Sequence, residues 1–238
     1  MTTADIGAIK AEIQGNLARV REAISSAEAN SGRKPGSVTL VAVSKGITPD
    51  IASLAAGSGC RVFGENKVQE AQTKIPLMPA GLEWHMIGRL QSNKARECPR
   101  LFSLVHSVDR DSLAAALDRH AREAGKPMDI LVQVSISGAE SQGGVPVTDI
   151  HGFIDKISKL DYLRICGLMA IGPHPAGEDE LRGGYRRMKG VFDGLAGRLG
   201  PGFNTLSMGM SGDYPIAIEE GSTMVRIGTA IFGDRRYK

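Results

Sequence analysis

Lys45 is the residue whose position carries the most chemistry. It closes the apolar run VTLVAVSK over 38–45, so core should wall its stem and hold its ammonium near low dielectric. Burial lowers a lysine's pKa and frees the neutral amine, which is what a Schiff-base lysine requires. The plainer alternative is a lysine that snorkels to solvent and pairs with a carboxylate. Glu65, beside Asn66, is the candidate for orienting it. Ser211-Gly212 and Gly228-Thr229 offer backbone N–H groups and hydroxyls to a single phosphate, or else simply make tight strand-to-helix turns. Arg226 lies between Val225 and Ile227 and needs an acceptor there. A structural ion pair would supply one. So would a cofactor ring nitrogen, which an always-protonated guanidinium keeps unprotonated. His85, next to Trp84, reads first as a hydrogen-bonded core residue, and His106, His120, His151 and His174 lack metal-ligand spacing. Glu219-Glu220 and Asp109 with Asp111 read as solvated charges at helix starts.

These residues need elements that bring them together. Short, nearly continuous apolar runs at 38–45, 61–65, 83–88, 104–109, 129–136, 163–172, 205–211 and 224–232 predict strands of a parallel sheet buried on both faces. Helical patterns alternate with them. Residues 110–124 put Leu113, Leu117 and His120 on one face and stop at Gly125-Lys126-Pro127. A helix over 146–159 starts at Pro146 and aligns Ile150, Phe153, Ile154 and Ile157, while 179–199 aligns Tyr185, Met188, Phe192 and Leu195. Thr48-Pro49-Asp50 opens a helix over 49–57 with threonine as N-cap. An amphipathic helix over 4–30 precedes the first strand, to plug or flank the bottom of the fold.

Eight strands in 238 residues give about 30 residues per βα unit, the size of a (β/α)8 TIM barrel. A doubly wound open sheet has the same periodicity and is the runner-up. With no composition shift to mark a linker, a single domain over 1–238 is expected. In a barrel, Lys45, Asn66, His85, Ser211, Arg226, Gly228 and Thr229 all lie at or near the C-terminal ends of strands, where such folds place their sites.

Composition excludes several classes. A net charge of +3 from 29 basic and 26 acidic residues, with only a short basic end at Arg235, Arg236 and Lys238, implies no nucleic-acid partner. Three well-separated cysteines, Cys60, Cys98 and Cys166, give neither a disulfide framework nor a zinc site and suit a reducing cytosol. No signal peptide and no membrane-spanning run is read, so a cytoplasmic protein is expected.

Six segments resemble one family. They are VAVSK at 41–45, FGEN at 63–66 with Gln69-Glu70, and EWHMIG at 83–88 with LQSNK at 90–94. The others are GLMAI at 167–171, LSMGMS at 206–211 and MVRIGTAIFG at 224–233. In this order they resemble the pyridoxal 5′-phosphate (PLP) homeostasis proteins. That resemblance implies a barrel of the alanine-racemase N-terminal kind, PLP fold type III. It puts the PLP lysine on Lys45 as an internal aldimine, and the phosphate contacts on Ser211, Gly228 and Thr229. It also puts the ring-nitrogen arginine on Arg226, a cofactor-proximal asparagine on Asn66, and a neighbour on His85. The sequence departs from the family at Gly46-Ile47-Thr48, at Arg89 where proline is common, at Gly212, and at Gln142 where a lysine often precedes the glycine.

Racemases of this fold add a β-domain and a second base, a tyrosine from a partner subunit. The chain stops at Lys238, five residues past Gly233, without room for that domain. Tyr162, Tyr185, Tyr214 and Tyr237 do not follow the racemase pattern. Two-base proton exchange needs groups on both faces of the substrate, and Lys45 is the one clear candidate. The expectation is therefore a non-catalytic PLP carrier, a monomer with apo PLP-dependent enzymes as recipients. A weak PLP-dependent amino-acid racemase is the alternative.

Overall fold

The computed structural model describes residues 3–136, 143–173 and 175–233. Gln142, His174, Tyr237 and the basic end at Arg235, Arg236 and Lys238 lie outside the described residues. Eight strands are β1 (Thr39–Val43), β2 (Val62–Glu65), β3 (Glu83–Met86), β4 (Leu104–Val108), β5 (Met128–Ser135), β7 (Leu163–Ala170), β8 (Thr205–Ser207) and β9 (Met224–Ile227). Every pairing among them is parallel. Closure is set by β1, which pairs with β2 at Val41↔Val62 and with β9 at Val41↔Arg226. A two-residue strand, β6 (Val145–Pro146), adds to β5 outside the ring. The fold is a closed eight-stranded α/β barrel, and the open sheet is excluded by the β1–β9 ladder.

Side chains alternate between the two faces of each strand. One set of apolar residues faces the surrounding helices; a smaller inner cluster of Val41, Leu104, Leu131, Met169 and Met224 fills the barrel. Above that inner layer the same alternation places polar residues, including His85, His106, Ser207 and Arg226, all buried. The strands are shorter than their apolar runs. Strand β8 stops at Ser207 because Gly209, at φ +94, turns the chain. Strand β9 stops at Ile227, before the helical turn α9 (Thr229–Phe232).

Helix α1 (Thr3–Asn30) buries Ile9, Ile13, Leu17, Val20, Ile24 and Ala27, spaced three or four residues apart, as one face of a helix must be. Each large apolar side chain so buried contributes about 1.5–3 kcal/mol. The helix flanks the seam where β9 meets β1, and Asn16 Nδ2 donates to the Ile231 carbonyl at 2.9 Å. Helix α2 (Pro49–Gly57) begins as expected, and Thr48 has the extended backbone of an N-cap. Its hydroxyl nevertheless makes no cap bond and has no partner among the described residues. Residues 147–149 form a 3₁₀ turn, so helix α6 (Ile150–Ile157) starts four residues after Pro146, which belongs to β6 instead.

Helix α5 (Asp111–Glu123) buries Leu113 and Leu117, but not His120, whose Nδ1 lies 2.7 Å from Glu123 Oε2. Asp118 takes that share of the buried face and accepts from the Tyr162 N–H at 2.8 Å. Helix α7 (Glu178–Leu199) buries the expected Tyr185, Met188, Phe192 and Leu195. Three short helices were not foreseen: α3 (Val68–Lys74), α4 (Cys98–Leu101) and α8 (Tyr214–Glu219). Glu219 and Glu220 lie at the end of α8, where they pair with Arg182 and Arg186. They are not helix-start charges. Asp109 is also not solvated: its side chain is buried beside Arg110.

Candidate functional site

Lys45 stands two residues beyond β1, at the C-terminal rim of the barrel, and is exposed. The sequence expectation of a walled-in ammonium is corrected here: the strand ends at Val43, so the side chain leaves the core before its charge is reached. Its ammonium has no hydrogen bond or ion pair among the described residues. The backbone around it, however, is held on both sides. Ser44 Oγ donates to Glu65 Oε1 at 2.7 Å, and Lys74 Nζ donates to the Ser44 carbonyl at 2.6 Å. Lys74 Nζ also reaches Glu65 Oε1 at 2.5 Å and Glu70 Oε1 at 2.8 Å, and Glu70 Oε1 accepts from the Gly46 N–H at 2.6 Å. Glu65 thus answers Lys74 and Ser44, not Lys45. Burial raises its carboxyl pKa against the pull of Lys74. The result is a fixed base under a freely swinging amine.

Lys45 shares a cavity of about 470 Å³ with Asn66, Arg226, Ser211, Gly228 and Thr229. Val43, Ile87, Met169 and Ile171 supply its apolar walls. Arg226 enters from below. One terminal nitrogen donates to Ser207 Oγ at 2.6 Å and the other to the Ala170 carbonyl at 3.0 Å. Burial pulls its pKa down to about 10, still well above neutrality. An arginine only donates, so Ser207 must accept from it and has its own proton to pass on. The acceptor is His106 Nδ1 at 3.1 Å, and His106 Nε2 in turn lies 3.1 Å from His85 Nδ1. Donor polarity therefore runs from Arg226 through Ser207 and His106 to His85, with both imidazoles carrying their proton on Nε2. Burial drives His85 down to about 4 and His106 well below its usual value, so both rings are neutral at pH 7. His85 belongs to this chain beneath the cavity and does not line it.

The opposite side is built from the turns after β8 and β9. Ser211 Oγ accepts from the Gly228 and Ala230 N–H groups, each at 3.3 Å, which leaves its proton for an anion in the cavity. Asp213 shapes this turn, accepting from the Met210 N–H at 2.6 Å and from the Tyr185 hydroxyl at 2.8 Å. At Gly228 a β-carbon would come within 3.3 Å of the Val43 carbonyl, so the backbone there is kept bare.

The alanine racemase N-terminal domain model matches residues 10–236. The pyridoxal phosphate homeostasis protein of Escherichia coli K12 is 43% identical over 233 residues, covering 95% of this chain and 98% of the relative. That of Aquifex aeolicus is 36% identical over 222 residues, covering 93% and 97%. The chain belongs to the pyridoxal phosphate homeostasis family. Among solved structures of similar sequence, PipY of Synechococcus elongatus, with PLP bound, superposes with a TM-score of 0.81 at 36% identity, covering 93% of this chain and all of PipY. An alanine racemase from Streptomyces coelicolor shares the fold, with a TM-score of 0.68 at 17% identity, and this chain covers 58% of it.

In this member of the homeostasis family, the sequence points to Lys45, Asn66, Ser211, Arg226, Gly228 and Thr229, which line the cavity, but not to Lys74, Ser207 and Asp213, which hold them. Nothing local to Lys74 places it under Ser44. Trp84, beside His85, faces outward and packs on Phe63 at 5.3 Å between ring centroids, away from the cavity.

Proposed function

We propose that this protein binds pyridoxal 5′-phosphate through Lys45 and acts in PLP homeostasis as a carrier, not as a robust catalyst. One observation carries the reading: an amine, an arginine held in place as a donor and an N–H and hydroxyl cradle line one cavity at the C-terminal mouth of the barrel. The residues fit the cofactor. The bare backbone at Gly228, the Ser211 proton and the Thr229 hydroxyl suit a phosphate, and Arg226 keeps further N–H donors after its two structural bonds.

When bound, PLP supplies an aldehyde. Lys45 would be the residue that holds it, its amine being the nucleophile that such an aldehyde needs. The protein's own part is to hold position. The Ser44–Glu65–Lys74–Glu70 cluster fixes the backbone on both sides of Lys45, so the amine sweeps a small arc over the cavity. Arg226, held by Ser207 and the Ala170 carbonyl, would donate a remaining N–H to a ring nitrogen and keep it unprotonated, which would weaken the ring as an electron sink. Among the described residues no carboxylate, histidine, cysteine or tyrosine lines the cavity opposite Lys45. Racemisation by two bases has no second base there. As parts of the same proposal, the protein works as a monomer in the cytosol and passes the cofactor to apo PLP-dependent enzymes. No helix among the described residues is long and apolar enough to cross a bilayer.

The test is a visible absorption spectrum with PLP, followed by borohydride reduction and mapping of the modified lysine by mass spectrometry. A Schiff-base band and a pyridoxyl group on Lys45 are expected, both lost in Lys45→Ala. An adduct retained in that variant would overturn the assignment. Turnover of added amino acids in the same cuvette would replace the carrier with the racemase.

A further inference from the structure

A second depression adjoins the first. It has a volume of about 940 Å³ and shares Asn66 and Arg89 with the Lys45 cavity. The loop after β2 contributes Lys67, the start of α3 contributes Gln69, and the segment after β3 contributes Arg89, Gln91 and Lys94. Arg110 closes the far side. It is already committed, bonded to Asp109 and to the Leu90 carbonyl, each at 2.6 Å, and so serves as scaffold.

Arg182, Lys189 and Arg198, elsewhere on the surface, each face a carboxylate. Lys67, Arg89 and Lys94 have no such partner among the described residues, and no aspartate or glutamate lines the depression. Lys94 is half-buried as well. Three like charges in one hollow repel one another and focus a positive potential, an arrangement that favours a multiply charged anion. Beneath them lie Met86 and Leu90, and the amides of Asn66, Gln69 and Gln91 stand at the rim. The volume is that of a small-molecule site.

We infer that this depression is a second binding site, for a phosphorylated small molecule of up to nucleotide size, with its phosphate held by Lys67, Arg89 and Lys94. Three cations lining one hollow with no acid among them match a dianionic phosphate ester better than a single carboxylate. Because Asn66 and Arg89 line both hollows, the occupant sits against the first cavity, and by linkage each ligand would alter the other's affinity by the same factor. The site itself does not depend on what Lys45 binds.

Calorimetric titration at physiological ionic strength, with AMP, ATP, pyrophosphate and inorganic phosphate as probes, tests this. Saturable, salt-sensitive binding of one probe per chain is expected, weakened about tenfold or more in Lys67→Gln/Lys94→Gln. The ranking of nucleotides against the inorganic probes then tells a nucleoside phosphate from a bare one. The same binding must survive Ser211→Ala/Thr229→Val, which strips the anion cradle of the cofactor cavity and so separates the two sites. Loss of binding in Ser211→Ala/Thr229→Val, equal binding in Lys67→Gln/Lys94→Gln, or no saturable binding by any probe would each overturn the inference. Thermal melting of both double variants checks that the fold persists, and Lys94→Gln alone serves if Lys67→Gln/Lys94→Gln does not fold.

Discussion

At the scale of single residues, the site divides into groups that face the cavity and groups that hold them. Thr229 is of the first kind. Thr229→Val should weaken PLP by roughly 1–3 kcal/mol, the worth of a hydrogen bond to a charged acceptor, measured by titrating the visible band. Lys74 is of the second kind, a buried cation shared by Glu65, Glu70 and the Ser44 carbonyl. Lys74→Met strands Glu65 in the core, so a loss of roughly 3–5 kcal/mol is expected in urea denaturation. Lys74→Met/Glu65→Gln should recover part of it, since removing both charges is cheaper than removing one. If the double variant were no more stable than the single one, the clamp would be misassigned. Lys45, Ser211, Arg226, Gly228 and Thr229 were legible because polar residues at the ends of apolar strands stand out against their neighbours. Lys74 was not. Its partner Ser44 lies thirty positions away in sequence, and only the folded barrel brings them together.

Among the elements, what positions the site is the turn after each strand. Gly88, just past β3, is the tightest: a β-carbon there would overlap the backbone of Asn66. Gly88→Ala must push apart the loops after β2 and β3, both of which border the cavity. Overpacking of this kind costs about 1–3 kcal/mol, and PLP affinity should fall with it, because Asn66 moves. A chemical-denaturation midpoint and a PLP titration on the same variant check both effects. Unchanged affinity alongside a normal midpoint would show that Asn66 tolerates the shift. The strand and helix alternation was readable from apolar periodicity, but the ends of the elements were not. The apolar runs continue past Ser207 and Ile227 because Met208 and Ile231 are buried beyond the ends of β8 and β9. His120 was placed on the buried face of α5 by spacing, whereas Asp118 took that place through a backbone bond to Tyr162.

For the molecule as a whole, barrel and open sheet differ by one ladder, β1 with β9, which joins residues near the two ends of the chain and leaves no trace in local pattern. Closure encloses the polar chain from Arg226 to His85, and that chain makes stability depend on pH. His85 has a folded pKa of about 4 against 6.5 when unperturbed, depressed by burial, and His106 is also held well below its usual value by burial, by His85 and by Arg226. The unfolded chain therefore takes up protons on these rings first. Their contribution is fully present above about pH 6.5 and is lost as pH falls toward 4, about 3 kcal/mol for His85 alone. Unfolding midpoints in urea should thus decline steadily between pH 7 and pH 4.5. Exposed carboxylates begin to contribute only in the lower part of that range, and Glu65, raised by burial, acts against the decline, so a falling midpoint between pH 6.5 and 5 belongs mainly to histidine. His85→Gln/His106→Gln keeps hydrogen-bonding groups in place but removes the titration, so its midpoint should be nearly flat over the upper part. An equal slope in the variant and the parent would mean that the imidazoles are solvated, and the chain of donors from Arg226 would then fail with them.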